Sequence, residues 1–281
     1  MVEGAPAEYR ELVEIPVGRA RLAVARRGTG GPPHVVFLHT GISDRRSWDE
    51  VSDLLSPDMD VVAYDRRGFG LTAYRPERHD QVVDLLAVLD GLGLDEAVLV
   101  GNSRGGQIAL DFTLTHPGRV AALVLVAPAV SGAPAADEIE PVEAAIWETL
   151  EAAEAAGALH ALNLGEVRLW VDGPYAPEGR VGGPARDLAL DMNRIALHAA
   201  DPGYEDEAPD AWSRLSEVHC PALIVVGDLD LAHIRARAEE LASRIAGARL
   251  LVMEGAAHLP GLEQPAAFAA LLRDFLGRPA G

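Results

Sequence analysis

Ser103, Asp230 and His258 are the residue types that together turn a hydroxyl into a nucleophile. A serine hydroxyl attacks poorly at neutral pH. It needs an imidazole to take its proton, and a carboxylate to fix that imidazole's tautomer and stabilise its charge. Ser103 stands in Gly101-Asn102-Ser103-Arg104-Gly105-Gly106, after the apolar run 98–100 and before the apolar periodic stretch 107–114. The pattern predicts a buried strand, a sharp turn and a helix. Small residues two before and two after the serine suit a strained turn, because a Cβ at either place would strike neighbouring backbone. Such a turn lifts the hydroxyl at the strand's carboxyl end and leaves the Arg104 amide, at a helix N-terminus, to donate to an oxyanion. The plainer reading is a glycine-rich turn whose serine caps the helix.

The elements that must hold these residues alternate along the chain. Residues 9–16 and 19–27 read as a hairpin around Val17-Gly18. A short strand at 35–38 runs into His39-Thr40-Gly41-Ile42-Ser43, a turn able to offer a second oxyanion amide. A helix over 44–55 puts Trp48, Val51, Leu54 and Leu55 on one face. Strand 61–64, helix 80–89, the serine strand and strand 120–126 follow, then strand 221–226 ending in Gly227-Asp228-Leu229-Asp230. Helix 234–245, strand 248–253, the loop carrying His258 and a helix over 264–276 opened by Pro265 close the chain. Most strands are continuous apolar runs, which predicts an α/β fold: a mostly parallel twisted sheet of about eight strands with helices on both faces. Such sheets place sites along the carboxyl ends of their strands, where all three candidates fall.

The alternation stops after the sixth strand for roughly 90 residues, far more than an ordinary loop. Helices over 138–156, with Ile146, Trp147 and Leu150 on a stripe, and over 186–200, with Leu188, Met192, Ile195 and Ala199, are separated by turns at 170–175 and 179–184. This predicts a helical cap, 131–204, inserted into a core of 1–130 and 205–281. Trp147, Trp170 and Met192 from the cap, with Ile42 and Leu259 from the core, are the candidate substrate walls.

Composition narrows the chemistry. All 24 basic residues are arginine, which excludes a Schiff-base lysine and a phosphate-loop lysine. With 43 acids among 281 residues and a net charge of −19, the average surface repels nucleic acid and anionic membrane. Cys220 is the sole cysteine, so an internal disulfide and a thiolate metal cluster are both impossible. His34, His79, His116, His160, His198 and His219 have no partner at metal-ligand spacing, and His233 reads as a helix-start surface residue. No metal or other cofactor is expected. No apolar run approaches the roughly 20 residues that span a bilayer, and the N-terminus lacks a basic region followed by a hydrophobic one. The expectation is a soluble cytoplasmic protein whose partner is a small-molecule substrate, with a homodimer compatible.

The order serine, acid, histidine is that of the nucleophile-elbow fold, and from residue 35 onward the sequence resembles the α/β-hydrolase superfamily. The elbow, Asp65-Arg66-Arg67-Gly68-Phe69-Gly70, Gly227-Asp228-Leu229-Asp230 and Gly255-Ala256-Ala257-His258-Leu259-Pro260 match in order and spacing. The resemblance implies Ser103 as nucleophile, His258 as base and Asp230, fourth in the Gly-x-x-Asp turn, as the orienting acid. Asp228 is then a turn residue and the fallback. His39 resembles the loop histidine that holds the oxyanion turn, and Thr40 replaces the usual glycine after it, so the amide that joins Arg104's as donor is that of Gly41 ahead of that of Ile42. The implied function is a serine hydrolase working through an acyl-enzyme on a carboxylic ester or lactone of a small, partly apolar molecule. A serine nucleophile sets aside the branches with aspartate there, dehalogenases and epoxide hydrolases among them. The elbow also resembles that of carbon–carbon bond hydrolases acting on vinylogous diketones, and the overall pattern that of cofactor-free perhydrolases. A catalytically silent ligand-binding member is the alternative of another class.

Overall fold

The computed structural model describes residues 9–28, 30–136 and 139–277. β1 (Tyr9–Val17) and β2 (Ala20–Gly28) form the expected antiparallel hairpin. Five strands, β3 (His34–Leu38), β4 (Asp60–Tyr64), β5 (Ala97–Asn102), β6 (Val120–Val126) and β7 (Ala222–Gly227), are followed by β8 (Arg249–Met253). The sheet order is β1-β2-β4-β3-β5-β6-β7-β8. β2 joins β4 antiparallel and every pairing from β4 to β8 is parallel.

Both faces of the central strands are buried, and this explains their unbroken apolar runs. In β3, Val36 and Leu38 pack with Leu99, Leu125 and Ile224 on one face; Val35 and Phe37 pack with Val100, Val124 and Val225 on the other. The first face is covered by α2 (Gln81–Gly91), α3 (Arg104–Thr115) and α7 (Ala232–Arg244), through Leu85, Ile108 and Leu241. The second is covered by α1 (Asp49–Leu55) and the C-terminal helix, α9 (Pro265–Leu276), which a short helix, α8 (Pro260–Glu263), precedes. Val51, Leu55, Phe268 and Leu272 supply that layer, and Phe37 stacks on Trp48 at 4.6 Å. Each such side chain contributes about 1.5–3 kcal/mol by leaving water.

Three helices, α4 (Pro141–Ala155), α5 (Leu159–Val167) and α6 (Gly183–Leu197), are inserted after β6. The helices expected at 138–156 and 186–200 correspond to α4 and α6; residue 138 lies outside the described residues. The sequence reading misses α5 because its Gly165 interrupts the apolar stripe. A Cβ at Gly165 would lie 2.6 Å from Leu150 of α4, so the absent side chain is what lets the two helices meet. Residues 168–172, partly expected as a turn, form one wide helical turn, Arg168–Asp172, continuing α5. The helix expected over 44–55 starts instead as a 3-10 turn, Arg45–Trp48, capped by Asp44, whose carboxylate accepts from the Arg46 amide at 2.9 Å. No helix among the described residues is long and apolar enough to cross a membrane.

Candidate active site

Ser103 has φ +54° and ψ −115°, a conformation that costs an L-residue about 1–3 kcal/mol. Surrounding bonds impose it. Its amide donates to Val126 O at 2.8 Å, and its carbonyl accepts from Gln107 and Ala129, each at 3.1 Å. A Cβ at Gly101 would lie 2.3 Å from the Gly105 carbonyl oxygen, and one at Gly105 would lie 2.3 Å from that of Leu38. The two glycines therefore let α3 start against β5 and the end of β3. Ser103 makes no side-chain cap bond to α3, contrary to the plainer reading of this turn, and its half-buried hydroxyl has no hydrogen-bond partner among the described residues.

At the neighbouring strand ends, His258 Nδ1 and Asp230 Oδ2 are 2.8 Å apart, with the two residues 3% and 1% exposed. The second Asp230 oxygen accepts from the Leu231 amide at 2.8 Å. A carboxylate only accepts, so Nδ1 carries the proton and Nε2 is left to take one. Asp228 is placed differently: its carboxylate accepts from the Gly255 amide at 2.7 Å and ties two loops together. Asn102, which the sequence offered only as part of the elbow, links Ser103 to the histidine loop. Its amide nitrogen donates to Val126 O at 3.0 Å and to His258 O at 2.9 Å. Ser103 and His258 are not hydrogen-bonded to each other here; such bonds commonly close only when substrate arrives.

The turn after β3 is held by His39. Its Nδ1 donates to Thr40 O at 2.8 Å while Nε2 accepts from the Arg66 amide at 3.0 Å. Burial, with the Arg66 charge adding to it, holds His39 well below its ordinary value of 6.5, so the ring is neutral. Arg66 donates to Thr40 O at 2.6 Å and lies over the Phe69 ring at 4.3 Å. Thr40 takes the place of a glycine for a visible reason: its hydroxyl accepts from the Ile42 amide at 3.2 Å and bonds Ser43 Oγ at 3.0 Å. Ile42's amide is thereby occupied, whereas those of Gly41 and Arg104 have no acceptor among the described residues.

The Alpha/beta hydrolase family matches over residues 35–271. This chain is a member of it. Among curated relatives, the pimeloyl-[acyl-carrier protein] methyl ester esterase of Neisseria meningitidis serogroup B (strain H44/76) is 32% identical over 247 residues, covering 86% of this chain and 92% of that protein. Among solved structures, a thermophilic esterase from Thermogutta terrifontis superposes with a TM-score of 0.73 at 25% identity, covering 96% of this chain and 98% of the other. Est816, described as an N-acyl homoserine lactone degrading enzyme, has a TM-score of 0.71 at 26% identity, covering 93% and 99%.

In this α/β hydrolase the inserted helices reach the histidine directly. The Trp170 ring lies 4.5 Å from that of His258, and Trp147 meets Trp170 edge-on at 5.8 Å. Gly173 shows how closely the insertion approaches: a Cβ there would be 2.5 Å from Leu229 O and 2.9 Å from Ala257 Cβ. Ile42 and Leu259 form one apolar cluster with Val167, Val171 and Ala189, and Trp170 packs against it. Met192, one turn along α6 from Ala189, is 1% exposed, and its sulfur accepts from the Asp44 amide at 3.4 Å, which joins α6 to the core. Arg46 strengthens that contact by bridging Asp44 and, at 2.9 Å, Asp191 of α6. No group of three or more His, Cys, Asp or Glu among the described residues could hold a metal ion.

Proposed function

We propose that this hydrolase cleaves carboxylic esters or lactones of small, partly apolar molecules through an acyl-enzyme on Ser103. The observation that carries the reading is the buried Asp230–His258 pair, 2.8 Å apart with its tautomer set, beside a strained serine that caps nothing. His258 Nε2 takes the Ser103 proton as Oγ attacks the acyl carbon. The Gly41 and Arg104 amides receive the carbonyl oxygen as it becomes negative. The bond to the leaving oxygen then breaks, and His258 returns the proton to it. Water, activated by the same imidazole, hydrolyses the acyl-enzyme and restores Ser103. Residues 131–204 act as a cap, with Trp147, Trp170, Ile42 and Leu259 as apolar walls that select substrate. The names of the Neisseria esterase and of Est816 agree with an ester or lactone bond.

A carbon–carbon bond hydrolase is the second reading: the elbow resembles that of such enzymes, and the 2-hydroxy-6-oxo-2,4-heptadienoate hydrolase of Pseudomonas putida is 39% identical over 106 residues, 35% of this chain. The test is labelling by a fluorophosphonate, followed by a graded panel of acyl esters and lactones. Labelling of the wild type at Ser103, absent in Ser103→Ala, with turnover of at least one ester or lactone series, is the expected result. An unlabelled, inactive wild type would mark a silent binding member and overturn the proposal.

A further inference from the structure

Glu263 and Arg180 belong to none of the motifs above, yet they surround His258. The Glu263 side chain is fully buried. Its two oxygens accept from the Ala257 amide at 2.7 Å and the Leu259 amide at 2.8 Å, the two peptides flanking the histidine. The amide between them, that of His258, donates to Trp170 O of the insertion at 3.2 Å. Three consecutive amides are thus fixed by acceptors outside the loop.

Arg180, from the insertion, holds both sets of acceptors. Its guanidinium pairs with Glu263 and donates to Asp172 O at 2.8 Å, Val171 O at 2.6 Å and Gly255 O at 2.7 Å. Arg180 is itself placed by a second clamp of the same kind. Asp172, also fully buried, accepts from the Gly179 and Val181 amides at 2.9 and 3.1 Å, flanking Arg180, and pairs with Arg186 at 2.7 Å. One buried carboxylate therefore sets the arginine, and the arginine neutralises the carboxylate that sets the histidine.

We infer that Arg180 and Glu263 are positioning residues for His258, and that the seating of the inserted helices fixes the imidazole through them. The inference rests on the proposed role of His258. The physical reason is the cost of a buried charge: burial already pushes the Glu263 carboxyl up, and the Arg180 pair and the two amides oppose that push. With Arg180 withdrawn, the carboxylate is left without its cation, and turning it toward water releases the amides beside His258.

The test uses Arg180→Gln, Arg180→Lys and Glu263→Gln, with p-nitrophenyl and ethyl esters of one accepted acyl group. Each variant is measured well below its thermal unfolding midpoint. A displaced imidazole should lower kcat by roughly 10- to 100-fold with KM nearly unchanged. The loss should be greater for the ethyl ester, whose poor leaving group needs the proton that His258 delivers. Arg180→Lys should recover part of the rate, since it keeps the charge but not the planar fork. If Glu263→Gln does not fold, the two Arg180 variants decide the matter. An unchanged kcat, an equal loss for both leaving groups, or a rise in KM alone overturns the inference while wild-type labelling and turnover still support the proposed function. A wild type that neither labels at Ser103 nor turns over overturns both.

Discussion

The sheet edge and the inserted helices meet at His258 but are held by different forces. At the edge, Ser103, His39 and Asp230 are fixed by backbone hydrogen bonds and by glycines that let strands, helix and loops touch. The insertion is anchored by arginine–carboxylate pairs, Arg46–Asp191 and Arg180–Glu263, and by the Trp147–Trp170–His258 contacts. Backbone-defined geometry tolerates almost no change, whereas side-chain anchors on helices can be exchanged while the sheet stays intact. Under the proposed function, chemistry stands on the sheet and selectivity largely on the insertion.

The largest expected effect lies on the sheet. Ser103→Ala should reduce turnover to background, at least about 1,000-fold, since the remaining groups have no nucleophile to activate. Ser103→Gly should be equally inactive yet more stable, by about 1 kcal/mol, because glycine adopts φ +54° without strain. Kinetics with denaturant unfolding checks both, and an active Ser103→Ala would defeat the nucleophile assignment. Next comes the choice between carboxylates. Asp230→Asn should cost about 10,000-fold through the wrong tautomer, and Asp228→Asn less than about tenfold. The reverse ranking would move the orienting role to Asp228.

Sequence and structure agree most closely at this sheet edge, for a physical reason. Sharp turns between buried strands and helices demand glycines and small residues at fixed offsets, so Gly101 and Gly105 could be read before any contact was seen. The insertion was less legible. α5 lacks a clean stripe because Gly165 makes room for Leu150, and the Glu263–Arg180 clamp joins residues 83 positions apart with no periodic signal. Asn102 was visible as a letter of the elbow, but its bond to His258 O spans 156 positions. Thr40 stood out as a departure from the family pattern, and the bonds of its hydroxyl to the Ile42 amide and Ser43 Oγ give it a place in the turn.

A smaller effect separates two residues of the insertion. Trp147→Ala should alter preference along a series of acyl chain lengths by up to about tenfold, because it removes an apolar wall without touching the charge-stabilising groups. Met192→Ala should instead lower stability, by about 2 kcal/mol or more, and slow all substrates by one common factor, since its buried side chain seats α6 against Asp44. Selectivity ratios and unfolding midpoints for the two variants decide this. A changed preference in Met192→Ala would extend the chamber to that residue.

The smallest expected effect tests whether the neutral His39 acts as a structural clamp, and it follows from proton linkage. His39 is held well below 6.5 in the fold by burial and Arg66, while in the unfolded chain it takes a proton near 6.5. Below 6.5 the unfolded state therefore binds more protons, so this contribution to stability is fully present above 6.5 and is lost as the pH falls, at up to about 1.4 kcal/mol per unit. Asp65, on the adjacent loop, has the opposite sign. Burial raises it from 3.8 to about 6, so the native state binds more protons between those values and gains stability on acidification. The two partly cancel in the wild type, which makes a single pH profile a poor test. Comparison with His39→Gln removes the ambiguity, because Asp65 is present in both proteins. The wild type should be the more stable at pH 7, and its advantage should shrink steadily from pH 6.5 to pH 5. An advantage that stays constant over that range would mean that His39 takes up a proton in the fold as readily as in the unfolded chain. The Arg66 amide would then lose its acceptor on Nε2, and a different support for the oxyanion turn would be required.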